Sequence, residues 1–353
     1  MITRIEAKNF GPFGNTIHAL PVGPETLIVG PNNAGKSTFI AAYALVASNG
    51  FNPSITKYRN LEEAAFGHNL KSEVMISIHA EVEGETAERA MYIGQGPLPS
   101  GYSWSGAVPI PSGGIYQASK ATNQDAANSL QQSLNDTWYL MSNREFVPTA
   151  QQITNPAKVL NPQGTNAVQF LLERWTSRDP QWPEAEKWLK KIDSDMLLLK
   201  SPLRGQLASI ETSRKIGELE FDVNLSLQGG GIQRALQIVS AVVFSPKGSV
   251  IIIEEPEMNL HKESQEVLVD LFNKAVNEWD KQIIVTTHSW DVILPFISDL
   301  GSGSKRGGDH IKAEASKFKM AKLSRKNNDI DIEDYDISKE FKQIKDDFKI
   351  MWG

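Results

Sequence analysis

Gly30-Pro31-Asn32-Asn33-Ala34-Gly35-Lys36-Ser37-Thr38 fits the spacing G-x-x-x-x-G-K-[ST] in full. Glycines at both ends of such a loop let backbone N–H groups converge on phosphate oxygens, and a helix opening at the lysine adds its positive dipole end. In this pattern Lys36 reaches the β- and γ-phosphates of a nucleotide and the Ser37 hydroxyl ligates Mg²⁺. Gly30, Asn32, Asn33, Ala34, Gly35 and Thr38 complete the cradle. The apolar run Thr26–Val29 before the loop and Phe39–Val46 after it predict strand, loop and helix. That context separates a phosphate loop from a chance Gly/Asn turn.

Three further groups could share the same chemistry. Val250-Ile251-Ile252-Ile253-Glu254-Glu255-Pro256-Glu257 is an apolar strand that delivers carboxylates at its end. Glu254 would hold Mg²⁺ and Glu255 would polarise an attacking water. Val285-Thr286-Thr287-His288-Ser289 is a second strand with a polar end, where His288 would bond the γ-phosphate or that water. Leu225-Ser226-Leu227-Gln228-Gly229-Gly230-Gly231-Ile232 is a glycine loop opening a helix ahead of the acidic strand. Its Gly229, Gly230 and Gly231 amides would form another anion site at a helix N-terminus. One nucleotide does not need two such sites, so this loop is expected to cap the nucleotide of a second copy of the chain.

The elements that must position these groups are legible as hydrophobic periods. Ile232, Leu236, Val239 and Val243 predict a helix with one buried face, and Val267, Leu268, Leu271, Phe272, Ala275 and Val276 another. With strands at Ser249–Ile253 and Gln282–Thr286 they imply a mostly parallel sheet. Between the two halves, Val74–Val82 alternates as a half-buried strand that turns near Gly84 into Arg89–Ile93, with His79 on its solvated polar face. The Gly/Pro/Ser-rich stretch Gly94–Gly114 reads as a long loop. Trp175–Leu199 reads as mainly helical, broken at Pro180 and Pro183. The cations from Lys187 to Lys215 interleave with acids and read as a solvated mixed face. Gly301–Gly308 reads as a polar loop, and Phe341, Ile344, Phe348 and Met351 as a closing amphipathic helix. No heptads are sustained. The expected organisation is a discontinuous core, 1–50 and 218–353, carrying an insert at 51–217.

Composition narrows the classes. The 353 residues are 40% hydrophobic and 22% charged, with 42 acids against 36 bases and a net charge of -6. That balance gives no general attraction to nucleic acid. With no cysteine, thiolate chemistry, disulfides and Cys-based zinc sites are excluded. Neither a signal-peptide core nor a run of ~18 apolar residues is present, so a cytoplasmic protein without a membrane partner is expected.

The four groups, in this order, resemble the ABC ATPases of the SMC/RecF/OLD group, and Met1–Phe10 resembles that group's first strand. The resemblance covers residues 1–50 and 218–295 well and extends to Tyr139-Leu140-Met141-Ser142-Asn143-Arg144. It implies an α/β, ABC-type P-loop NTPase with a mostly parallel core sheet, an antiparallel β subdomain and a helical insertion. It implies ATP and Mg²⁺ as cofactors, with Lys36 and Ser37 on phosphate and metal, Glu255 as catalytic carboxylate and His288 as the switch histidine. Asn259-Leu260-His261 matches a segment at the dimer interface. Glu254 stands where many such proteins carry Asp, and Gly229 where a serine is common, which leaves Ser226 without an assigned role. No residue matches the Mg-sensing glutamine. Asp329–Asp334 reads as a polar edge strand, so no TOPRIM nuclease site is expected. Stand-alone members imply an ATPase that dimerises around ATP and controls a separate effector, such as an HNH-type nuclease, in anti-phage defence. The alternative is a RecF/SMC-like DNA-repair ATPase that binds DNA directly. A transporter motor fits the first strand and the glycine loop poorly.

Overall fold

The computed structural model describes residues 1–48, 63, 65, 73–94, 97–110, 113–145, 147–152, 157–301, 318–326 and 329–335. The chain divides into two compact units, Met1–Thr137 with Ile297–Gly353, and Trp138–Phe296. Most of the expected polar loop at Gly301–Gly308 and the expected closing helix at Phe341–Met351 lie outside the described residues. Among the described residues no helix is long and apolar enough to cross a membrane.

The first unit is built on an antiparallel sheet. Strand β1 (Ile2–Lys8) pairs with β2 (His18–Pro21) on one side and with β4 (Val74–Val82) on the other. The sheet continues through β5 (Glu85–Gly94) and β7 (Gly113–Ala121) to β6 (Ser105–Ile110). The β4–β5 turn is two residues, Glu83 and Gly84, both with positive φ, the conformation that suits the right-handed twist of a tight hairpin. Helices α1 (Lys36–Ala47) and α2 (Gln124–Asn135) cover this sheet. Asn123 caps α2, its side chain accepting from the Ala126 N–H at 2.8 Å. Strand β3 (Glu25–Val29), buried throughout, runs parallel to β17 (Phe318–Lys326), and β17 pairs antiparallel with β18 (Asp329–Tyr335).

In this unit the Gly/Pro/Ser-rich stretch is not one long loop, because β6 and the start of β7 fall inside it. Composition hides these strands, since their ladder bonds need only backbone. His79 is not solvated either. Its ring is 18% exposed and lies 2.9 Å from the Ser77 hydroxyl and 3.3 Å from Glu6. A side chain on the polar face of a strand still has cross-strand neighbours, and Glu6 sits on the next strand. That contact, with Arg4 beyond it, holds the Glu6 carboxyl below its usual range against the opposing effect of burial.

The second unit contains the short strand β8 (Thr137–Leu140, entered at Trp138) and the parallel pair β15 (Val250–Glu254) and β16 (Gln282–Thr287), with Val250 opposite Gln282 and Glu254 opposite Thr286. Two-residue strands β9 (Gln151–Gln152), β11 (Leu203–Arg204) and β12 (Leu207–Ala208) form a small ribbon. Strands β10 (Met196–Lys200), β13 (Glu211–Ile216) and β14 (Leu219–Asn224) form an antiparallel sheet that leads into the glycine loop.

Helices α3 (Ala167–Thr176), α4 (Trp182–Ile192), α5 (Gly230–Phe244), α6 (Lys262–Glu278) and α7 (Trp290–Gly301) complete the described elements. The helical reading of Trp175–Leu199 holds with its break at Pro180, which lies between α3 and α4, and is corrected at Pro183 and at its C-terminal end. Pro183 lies in the first turn of α4 rather than breaking it, since a first-turn residue has no intrahelical N–H bond to lose. Met196–Leu199 is strand, not helix. Helix α5 is buried all round from Gln233 to Phe244 rather than on one face. Its polar positions are spent on the loop between β8 and α3, where Gln233 Oε1 accepts from the Val147 N–H and Gln237 donates to the Glu145 carbonyl. The interleaved charges pair locally, Arg214 with Asp193 and Arg204 with Glu211.

Candidate functional site

In the first unit the loop after β3 is held open by its own backbone. Gly30, Asn33 and Gly35 have φ of 149°, 65° and 88°, and successive amides in such conformations line a concavity suited to an anion. At Gly30 a Cβ would stand 2.3 Å from the Leu323 carbonyl of β17, so only glycine fits. Helix α1 begins with Gly35 at its N-cap and no side-chain cap, which leaves first-turn donors to an incoming ligand. Pro31, Asn32 and Asn33 are exposed, Ala34, Gly35, Lys36 and Thr38 are buried, and Ser37 lies between. Lys36 is folded back onto the loop, its ammonium donating to the Gly30 and Pro31 carbonyls at 2.6 and 2.9 Å.

The turn after β1 braces this loop. Phe13 packs tilted against Phe39 of α1 at 4.4 Å between ring centroids and against His18 at 5.2 Å. Asp329, the first residue of the edge strand β18, accepts from the Gly14 N–H at 2.8 Å and faces His18 Nε2 at 3.0 Å. The acids of 329–334 thus form the edge strand the sequence predicts, with one of them engaged in support. Among the described residues no cluster of three or more His, Asp or Glu is arranged to hold a metal ion. A Mg²⁺ site of one carboxylate, one hydroxyl and nucleotide phosphates needs no such cluster.

In the second unit the ends of β15 and β16 bring the predicted acids and histidine together. Glu254 is buried, and its Oε2 accepts from the Ser142 N–H at 3.1 Å. Glu255 turns into the left-handed region with φ 46°, a conformation that costs a non-glycine residue about 1 kcal/mol or more. Its N–H donates to the Thr286 carbonyl at 2.8 Å. Arg144, 3% exposed, donates to the carbonyls of Met141, Glu254 and Glu255 at 3.0, 2.9 and 3.2 Å. It thereby staples the segment after β8 to the strained turn. Burial, and then the nearby Arg234, pull the Arg144 guanidinium down to about 10. Arg234 of α5 donates to the Ser142 carbonyl at 3.2 Å.

His288 Nδ1 lies 3.6 Å from Glu255 Oε1 and 3.6 Å from Glu257 Oε1. Glu257 is the group that motif reading passes over. Its Oε1 accepts from the Thr287 hydroxyl at 2.6 Å, and burial raises its carboxyl above the usual range against the effect of that bond. A third acid after a proline, in Glu254-Glu255-Pro256-Glu257, was the available signal.

The glycine loop opens α5 with Gly229 as N-cap and no side-chain cap. A Cβ on Gly231 would come 2.4 Å from the Asn259 carbonyl, whereas one on Gly229 would meet nothing within 4 Å. Glycine at 231 is therefore required by this chain's own packing, and glycine at 229 is not. Ser226 is occupied locally, its hydroxyl bonded to Asn224 and Thr149 at 2.8 and 3.0 Å.

Residues 104–293, more than half of the chain, match the AAA ATPase domain family. The chain belongs to that family. The chain is also 25% identical over 370 residues to an OLD nuclease of Thermus scotoductus, an alignment covering 93% of this chain and 63% of the nuclease. The chain thus spans under two thirds of that relative's length. Among solved structures it is similar to an Smc head bound to the C-winged helix domain of ScpA, with a TM-score of 0.63, 13% identity and coverage of 97% and 99% of the two chains. An Smc head with an extended coiled coil, bound to the C-terminal domain of ScpA from Pyrococcus furiosus, gives a TM-score of 0.59 at 12% identity, covering 98% of each chain. The chain therefore has the ABC-type P-loop ATPase fold seen in Smc heads.

Proposed function

We propose that this ATPase hydrolyses ATP with Mg²⁺ and dimerises around the nucleotide. The observation that carries the reading is the end of β15. There, Glu255, held in left-handed backbone next to the buried Glu254, faces His288, in a family built to bind a nucleotide. The phosphates would lie on the amides of Gly30–Thr38, with Lys36 leaving the Gly30 and Pro31 carbonyls to neutralise them. Ser37 and Glu254 would hold Mg²⁺, which when bound offsets the phosphate charge that opposes attack. Glu255 would orient the attacking water and accept its proton, with His288 completing that contact. Of the cradle residues, Asn32, Asn33 and Gly35 would offer backbone donors directly, while the Ala34 and Thr38 N–H groups would share theirs with the Pro31 and Gly35 carbonyls they already bond.

Gly229, Gly230 and Gly231 would cap the nucleotide of a second copy, which gives a reason for glycine at 229 where this chain's own packing supplies none. In this division of labour residues 1–50 and 218–353 act as the ATPase core and 51–217 as an insert, a functional split that crosses the two compact units. The finer reading is that nucleotide-driven closure controls a separate effector, a nuclease of the HNH type, in anti-phage defence. It draws on the likeness to the OLD nuclease.

The test is sizing of Glu255→Gln with Mg²⁺-ATP. The variant should accumulate as a dimer or larger assembly that Lys36→Ala abolishes. A particle of unchanged mass in ATP would refute the sandwich. Co-purification of a nuclease with the native complex would support the effector reading, and its consistent absence would remove it.

A further inference from the structure

We infer that Glu257 is the positioning residue for His288, setting which ring nitrogen the histidine presents to the reaction. The inference rests on the proposed ATPase chemistry for its consequence and on geometry for its substance. Oε1 of Glu257 gathers the start of the switch. It accepts from the Thr287 hydroxyl at 2.6 Å, lies 3.4 Å from the His288 N–H, and faces His288 Nδ1 at 3.6 Å. Thr287 passes the constraint on, its hydroxyl accepting from the Ser289 N–H at 2.9 Å. One carboxylate oxygen thus orders three successive residues at the end of β16.

The ring's own exposure gives the direction. The His288 side chain is 41% exposed, yet its Nδ1 is buried and makes no hydrogen bond. The solvent-facing part of the ring is therefore the side that carries Nε2. In the neutral ring the single proton belongs on Nδ1, because a lone pair turned toward the two carboxylates there would be repelled. Nε2 is then the atom offered to a ligand or to the attacking water. Glu257 itself has little alternative use. It is 9% exposed, with Oε2 buried and unbonded, in a wall formed with Gln265, Leu268, Phe272 and Val292. A carboxylate kept in such a wall, where an apolar side chain would be easier to bury, is explained by what its other oxygen holds.

The experiment compares Glu257→Gln, which keeps a carbonyl acceptor, with Glu257→Met, which keeps the volume and loses it. Histidine ring ¹⁵N shifts are read without nucleotide at pH about 8.5, above the ordinary histidine range, with His288 assigned by its loss in His288→Ala. Wild type and Glu257→Gln should show Nδ1 protonated, and Glu257→Met should move toward the mixture of tautomers found for a free imidazole. Steady-state turnover is then measured on the same proteins. Glu257→Met should lower kcat roughly 10- to 100-fold with KM little changed, Glu257→Gln should recover most of it, and Glu257→Met should cost nothing further in a His288→Ala background. Unchanged ring shifts in Glu257→Met, or a full multiplicative loss in that background, would overturn the inference. If wild type itself turns over no ATP, the ATPase reading fails, and the ring shifts alone still decide whether Glu257 sets His288.

Discussion

Replacing Arg144 with Ala tests whether the strained end of β15 is held by that one side chain. Arg144 donates to three carbonyls, those of Met141, Glu254 and Glu255, and is 3% exposed. Hydrogen bonds from a charged donor contribute about 1.5–3 kcal/mol each, and buried acceptors left empty are costly. Against this stands the cost of burying the guanidinium, which its fall to about 10 puts at roughly 3 kcal/mol. The balance is a net loss of about 2–5 kcal/mol. At ~2–4 °C per kcal/mol for a unit of this size, that is a fall in Tm of roughly 4–20 °C. Urea denaturation and calorimetry measure both quantities. Arg144→Lys should retain part of the stability, because an ammonium keeps the charge but cannot span three acceptors. An Arg144→Ala protein within about 1 kcal/mol of wild type would show that the carbonyls find other donors, and the staple argument would be wrong.

Two further perturbations separate local packing from assembly and charge. Gly231→Ala should destabilise the chain by about 1–3 kcal/mol, because its Cβ meets the Asn259 carbonyl. Gly229→Ala meets no clash and should cost only the small N-cap preference of glycine over alanine, roughly 0.5 kcal/mol, while weakening the ATP-dependent dimer; equal melting losses for both would refute the distinction. Lys281 donates to the Val242 and Val243 carbonyls near the C-terminus of α5, and burial pulls its ammonium from 10.5 down to about 7. The folded state therefore binds fewer protons than the unfolded one between about pH 7 and 10.5, and stability should rise with pH across that window. Melts of wild type and Lys281→Met should diverge in favour of wild type between pH 7 and 9.5. Parallel curves would contradict the assignment.

The sequence marks candidates for the chemistry more plainly than it marks the architecture. Lys36, Glu254, Glu255 and His288 stand out because the roles proposed for them need fixed residue types at fixed offsets from apolar strands. The strands β6 and β7 left little trace because a ladder can form from glycine, serine and proline-flanked residues with no alternating pattern. His79 was misjudged because period-2 reading assigns a face but not the carboxylate across the strand. Arg144 was visible only through resemblance, since a buried arginine that bonds carbonyls 110 and 111 residues away has no local signature. Glu257 lay in plain view beside two more obvious acids, and only its contact with Thr287 revealed what it holds.

The central claim is that Glu255, on its left-handed turn beside His288, performs the hydrolytic step. The most direct measurement is phosphate release by purified wild type and Glu255→Gln with saturating Mg²⁺-ATP. The account predicts steady turnover in wild type and a loss of at least about 100-fold in the variant, with nucleotide binding retained. Turnover by Glu255→Gln at the wild-type rate would contradict it.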